Sequence, residues 1–188
     1  LIDFIRKNPS ILNNICWSDD DSMFAVCEDK YIIIRDSKKY NVISIIQEKN
    51  VKEVMFSHEG NQNVLLTLKN NGDFSIWHFN KTDKDSVETV PYFNFNCNNG
   101  KKITAFAFSN NSDYIAVAYD DFSVVLYYKL RLTNQAVTFN LGTHDSPVSF
   151  LSFSQNDNYL ISGSKDGVIN LWNCKTSQKM CSITELLE

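Results

Sequence analysis

Residues 148–174 read VSFLSFSQNDNYLISGSKDGVINLWNC. Three short runs rich in Val, Ile, Leu, Phe and Tyr are separated by two polar turns, Gln155-Asn156-Asp157-Asn158 and Lys165-Asp166-Gly167. The runs are too short for helices of normal length, and their β-branched and aromatic content reads as strand. An Asp-Gly turn between two such runs is hairpin chemistry.

Working outward, the same plan recurs upstream. An apolar-aromatic-Ser step ends at Ser18, Ser57, Ser109 and Ser154, and a branched aliphatic residue stands six positions before each: Leu12, Val51, Ile103 and Val148. A polar turn and a second apolar run follow, closing on Asp29, Asn71, Asp121 and Asp166; six residues further on stand Arg35, Trp77, Tyr127 and Trp172. The intervals between the serines are 39, 52 and 45 residues. Strict in/out alternation is weak, as in Tyr31-Ile32-Ile33-Ile34, which suits sheets buried on both faces. Three core strands plus a more polar fourth, repeated about every 40–45 residues, predict an all-β propeller of four-stranded antiparallel sheets.

The 148–174 stretch resembles a near-consensus WD repeat, and the other three repeats match it in register with decayed landmarks. The four blades are expected at about 11–48, 50–96, 102–141 and 147–187, with 1–8 as an outer strand of a preceding blade, all within one propeller region spanning 1–188. WD propellers usually have about seven blades, and the chain opens on Leu1 and not on Met. We therefore expect part of a larger propeller.

The resemblance implies a polar chain inside each blade, made of a His before the first strand, a hydroxyl on the second, the turn Asp and the third-strand Trp. Buried N–H, hydroxyl and imidazole groups each need a partner, so such a chain is physically sound. The fourth repeat alone has the parts: His144, Ser162 or Ser164, Asp166 and Trp172, with Thr143 where the family has Gly. The other three are expected to rely on apolar packing and turn bonds. The resemblance also implies a partner-binding top face. Carried over by position, it takes Ile11, Asn13, Asn50, Lys52, Lys102, Thr104, Pro147 and Ser149 beside the first strands. It takes Glu28, Asn70, Asp120 and Lys165 before the turns.

Composition narrows the function classes. The 188 residues are 43% hydrophobic and 21% charged, with a formal net charge of −4. That charge gives no electrostatic reason to expect nucleic acid or an anionic membrane. Cys16, Cys27, Cys97, Cys174 and Cys181 are odd in number and form no C-x-x-C pair, so neither a disulfide framework nor a zinc site is expected, and a reducing intracellular compartment is. His58 and His78 have no second ligand at metal spacing. Ser, His and Asp invite a hydrolase reading, but no G-x-S-x-G elbow exists and the resemblance places them inside a blade. No Gly-rich phosphate loop is present. Paired asparagines, such as Asn110-Asn111, suit turns, although a compositional bias explains their abundance as well.

The expected function is a non-enzymatic scaffold binding proteins or peptides within an intracellular complex, cytoplasmic or nuclear, with no cofactor, metal or small-molecule substrate. The alternative is a propeller subunit of a chromatin- or RNA-handling complex, touching nucleic acid weakly through Lys101, Lys102, Lys129 and Arg131. Residues 80–88 are expected as a mixed-charge surface loop.

Overall fold

A computed structural model describes residues 12–18, 20–59, 62–81, 87–95, 100–111, 113–130 and 135–184. Every regular element among them is a strand. The first sheet is β1 (Leu12–Trp17), β2 (Met23–Glu28), β3 (Tyr31–Asp36) and β4 (Val42–Gln47); the second is β5 (Val51–Glu59), β6 (Gln62–Lys69), β7 (Phe74–Lys81) and β8 (Val87–Phe95). The third is β9 (Ile103–Phe108), β10 (Tyr114–Tyr119), β11 (Ser123–Leu130) and β12 (Gln135–Thr143); the fourth is β13 (Val148–Phe153), β14 (Tyr159–Ser164), β15 (Val168–Asn173) and β16 (Gln178–Thr184). In each sheet the strands lie in chain order, neighbour beside neighbour.

Two boundaries differ from those expected, and two further expectations fall outside the described residues. The third sheet runs to Thr143, two residues past the expected end. Of the loop expected at 80–88, residues 80 and 81 end β7 and residues 87 and 88 begin β8, while 82–86 lie outside the described residues. The outer strand expected at 1–8, and the top-face residue Ile11, lie outside the described residues.

The chain divides into two compact units. Residues 1–56 and 61–96 carry the first two sheets, whereas 57–60 and 97–188 carry the last two and the end of β5. In the first unit Ala25, Cys27, Ile32, Ile34 and Ile46 of the first sheet close on Val54, Phe56 and Leu65 of the second, with Trp77 and Phe79 packed against them. In the second unit Ala105, Ala107, Ala116 and Ala118 make a flat, small-residue face that receives Leu151, Leu160 and Trp172 of the fourth sheet. Each large side chain buried in this way is worth roughly 1.5–3 kcal/mol. Ile32, Ile33 and Ile34 are all buried on consecutive positions, which shows β3 covered on both faces.

The repeating serine is a turn clamp. Ser18, Ser109 and Ser154 each donate from Oγ to the side chain two residues on (Asp20, Asn111, Asn156) at 2.7–2.9 Å. Each also accepts the N–H five residues on, at 2.8–3.1 Å. One hydroxyl thus satisfies both sides of the first hairpin, and it explains why Ser recurs after the aromatic position.

Each unit leaves large apolar side chains exposed. Ile15 and Trp17 on β1, and Phe150, Ile161 and Ile183 on β13, β14 and β16, are exposed.

Candidate functional site

The polar chain of the fourth sheet forms around one hydroxyl. Trp172 Nε1 donates to Ser162 Oγ at 2.8 Å, and the same oxygen lies 2.7 Å from His144 Nε2. Ser162 Oγ accepts the indole proton, and the direction of its bond with His144 Nε2 follows the imidazole tautomer. Asn170 Nδ2 approaches the same nitrogen at 3.0 Å, and Ser182 Oγ donates to Asn170 Oδ1 at 2.6 Å. Burial holds the His144 pKa below its usual value, despite the opposing charge of Asp166.

Ser164 and Asp166 stand apart from this chain. Ser164 Oγ donates to Asp166 Oδ1, which also accepts the Val168 N–H at 3.0 Å. These bonds, the hydroxyl first, lower the Asp166 pKa. Asp166 is therefore a turn cap, and Asn170 takes the place beside the imidazole that the resemblance gave to the turn Asp. The geometry does not make a hydrolytic triad either. Ser162 is 0% exposed and clamped under Trp172, and no hydrogen bond joins Asp166 to His144.

The second sheet overturns the expectation that it relies on packing and turns alone. Trp77 Nε1 donates to Thr67 Oγ1 at 3.3 Å, Thr67 donates to Glu48 Oε2 at 2.8 Å, and Ser75 donates to Glu48 Oε1 at 3.2 Å. Lys69 Nζ lies 3.0 Å from Glu48 Oε1. Glu48 is buried, 7% exposed. The sequence held a signal for this chain: Thr67 precedes Trp77 by ten residues, as Ser162 precedes Trp172. Above it opens a cleft of about 570 Å³, whose lining includes Glu48, Lys49, Asn50, Lys69, Asp73 and Trp77. The third sheet substitutes a buried phenol pair, Tyr119 Oη and Tyr127 Oη at 2.5 Å. In the first sheet Arg35 Nη1 donates to the Tyr40 carbonyl at 3.0 Å.

The residues expected on the top face come together in pairs, sheet by sheet. The N–H of Asn70 donates to Asn50 O at 2.8 Å, that of Asp120 to Lys102 O at 2.8 Å, and that of Lys165 to Pro147 O at 3.0 Å. Lys102 N–H returns a bond to Asp120 Oδ1 at 3.1 Å. In the first, third and fourth sheets the first strand carries a bulge near its start, which leaves one residue out of the pairing register: Asn13, Thr104 and Ser149. A bulge re-aims a side chain at a sheet's end. Asn13 Nδ2 donates to Val51 O at 3.4 Å, and Thr104 Oγ1 to Ala118 O at 3.3 Å. Lys52, Ser149 and Lys165 are exposed, and Glu28, opposite Leu12, is half-buried.

Of the basic residues, Lys101 Nζ sits 2.5 Å from Asp121 Oδ2 and over the Tyr119 ring. That ion pair holds the Asp121 pKa down at about 2. Lys102 is exposed, whereas the Lys129 side chain and Arg131 lie outside the described residues. Burial pushes the Cys16 thiol up to about 12 and the Cys27 and Cys174 thiols up to about 11, so none of the three supplies a thiolate near neutral pH. Among the described residues no three His, Cys, Asp or Glu side chains gather to hold a metal ion, and no helix is long and apolar enough to cross a membrane.

A family model described as WD domain, G-beta repeat (WD40) matches residues 89–127 and 135–173. Each match begins in the fourth strand of one sheet and ends in the third strand of the next. Over 142 residues the chain is 27% identical to the U3 small nucleolar RNA-associated protein 21 homolog of Schizosaccharomyces pombe, covering 75% of this chain and 14% of that protein. Over 172 residues it is 27% identical to WD repeat and HMG-box DNA-binding protein 1 of Mus musculus, covering 90% of this chain and 14% of that protein. The chain thus spans a small part of either relative's length. Among solved structures, Chaetomium thermophilum Raptor matches with a TM-score of 0.69 at 17% identity, over 95% of this chain and 17% of that one. That likeness concerns the fold alone.

Proposed function

We propose that this chain, which carries WD40 repeats, is a non-enzymatic scaffold that docks other proteins through the loop ends of its sheets, as a subunit of an intracellular complex. The observation that carries the reading is the repeated junction at Asn50/Asn70, Lys102/Asp120 and Pro147/Lys165. In each, a backbone hydrogen bond pins the start of the first strand to the end of the second. A backbone that is already pinned has little further freedom to lose on binding, which favours affinity. The reactive residue types are spent on structure: Ser162 and His144 in a buried chain, Asp166 in a turn. Neither relative named above is called an enzyme.

The same reading takes the four sheets as part of a larger propeller, supported by the large apolar side chains left exposed on the first and fourth sheets. Partner capture by the chain with Lys52, Lys102 and Lys165 all changed to Glu tests the docking surface. Weakened capture with unchanged unfolding supports it; unchanged capture moves the site to another face.

A second reading, a subunit of an RNA- or chromatin-handling complex, draws on the printed names of the two relatives. Direct nucleic-acid contact has less support, because Lys101 is held by Asp121. A steep loss of binding with rising salt would favour it over protein docking.

A further inference from the structure

We propose that Glu48 is a positioning residue, doing for the loop end of the second sheet what His144 does for the fourth, and thereby setting where Asn50 and Asn70 stand. The inference rests on the docking reading for its functional meaning, though not for its geometry.

The two polar chains agree member by member. Each begins at a third-strand indole N–H, Trp77 or Trp172, and passes to a second-strand hydroxyl ten residues earlier, Thr67 or Ser162. That hydroxyl then meets a buried group in the loop leading into the first strand: Glu48 Oε2 at 2.8 Å or His144 Nε2 at 2.7 Å. A third-strand side chain two residues before the Trp closes on the same group, Ser75 at 3.2 Å or Asn170 at 3.0 Å. The loop of each sheet is thereby fastened to its second and third strands at once. Glu48 stands three residues before Val51 and His144 four before Val148, so alignment by position does not pair them.

The chemistry differs in one respect. A carboxylate only accepts, so both hydroxyls donate into it and no tautomer has to be set. Its charge needs a counter-charge when buried, and Lys69, the last residue of β6, supplies it at 3.0 Å. The next residue, Asn70, donates its N–H to Asn50 O, two residues after Glu48. Asn50 itself sits at φ 60, a left-handed conformation that Asn tolerates and the junction holds. Glu48 therefore grips both sides of the Asn50/Asn70 junction. In the third sheet Val117, fully buried, stands where Thr67 and Ser162 stand, and the Lys102/Asp120 junction is tied by Asp120 itself.

Amide hydrogen exchange on the full 188-residue chain tests this, comparing the Asn70 N–H with its fourth-sheet counterpart, the Lys165 N–H. In Glu48→Ala the Asn70 amide and the Trp77 indole should exchange about tenfold faster or more, while Lys165 and Trp172 stay within about twofold. Glu48→Gln keeps one acceptor and should fall between; adding Lys69→Met, which removes the stranded ammonium, should bring Asn70 back toward the original rate. An unmoved Asn70 overturns the proposal, and so does equal acceleration of Asn70 and Lys165, which would report general destabilisation. If Glu48→Ala does not fold, the Glu48→Gln pair decides by the same comparison. If Asn70 is released yet partner capture is unchanged, the positioning stands and the docking reading of this sheet fails.

Discussion

Asp157 holds Asn110 twice: one carboxylate oxygen accepts both the backbone N–H and the side-chain Nδ2 of Asn110, each at 2.9 Å. Its other oxygen accepts the Asn111 N–H at 2.9 Å. Asp157 lies in the turn between β13 and β14 and is 7% exposed; Asn110 lies in the turn between β9 and β10. Three bonds to one buried carboxylate fasten the third sheet to the fourth. Asp157→Ala strands the two backbone donors, while Asn110 Nδ2 keeps the Ser154 and Gln155 carbonyls, and it places a Cβ residue without a side-chain oxygen at φ 57, so it should cost about 3 kcal/mol of unfolding free energy. Asp157→Asn keeps an acceptor and should cost about half as much. Urea unfolding checks both, and a cost for alanine below about 0.5 kcal/mol would show that the latch is idle.

Phe150 lies flat on Gly163. A Cβ at 163 would stand 2.3 Å from Phe150 Cε2, so Gly163→Ala must lift the ring. Phe150 is 62% exposed and free to swing outward, which limits the cost to about 1 kcal/mol. Once Phe150→Ala is present, Gly163→Ala should be nearly neutral. Additive costs in the double-mutant cycle would show that the ring and the glycine are not coupled.

Phe122 and Gly167 occupy the same turn position in the third and fourth sheets, at φ 67 and φ 83. A bulky residue there is strained. Phe122→Gly relieves the strain and should raise stability by about 0.5 kcal/mol, after allowing for the lost ring packing and the glycine's greater unfolded-state freedom. Phe122→Ala keeps the strain and loses the packing, so it should lower stability. The opposite signs in thermal or urea unfolding are the test.

His144 predicts an acid-sensitive fourth sheet. Its folded pKa is lowered from 6.5 by burial, so the unfolded chain binds the proton more readily than the folded one. Stability from this group is full above pH 6.5 and declines as the pH falls below it toward the folded pKa. His144→Gln should flatten that part of the pH profile. Asp121 acts in a lower window: its pKa falls from 3.8 to about 2, so its contribution is present above pH 3.8 and is lost as the pH drops through about 2. Lys101→Met should return the Asp121 pKa toward 3.8, read by carboxyl NMR titration.

The serine-centred repeat made the sheets legible, because one hydroxyl clamps each of three hairpins and cannot be replaced without loss. What stayed hidden depends on contacts across strands. Ser162 and Ser164 are equal candidates in sequence and share one face of β14; only their position along the strand relative to Trp172 decides which hydroxyl meets the indole. Glu48 reads as an ordinary surface acid until Thr67 and Ser75 are seen to donate into it. The bulges at Asn13, Thr104 and Ser149 carry no residue signature at all. Asn110 and Asn111 went further than the turn role read for them, since they also join one sheet to the next.

The exposed apolar side chains, Ile15 and Trp17 on one unit and Phe150, Ile161 and Ile183 on the other, govern how this chain behaves in concentrated solution. A net charge of −4 is a weak barrier to close approach, and salt screens it within about 8 Å at physiological ionic strength. Colloidal behaviour is then set by contact between greasy patches. Salts excluded from protein surfaces should drive association, and the unfolding midpoint should then rise with protein concentration, because association draws on the folded form.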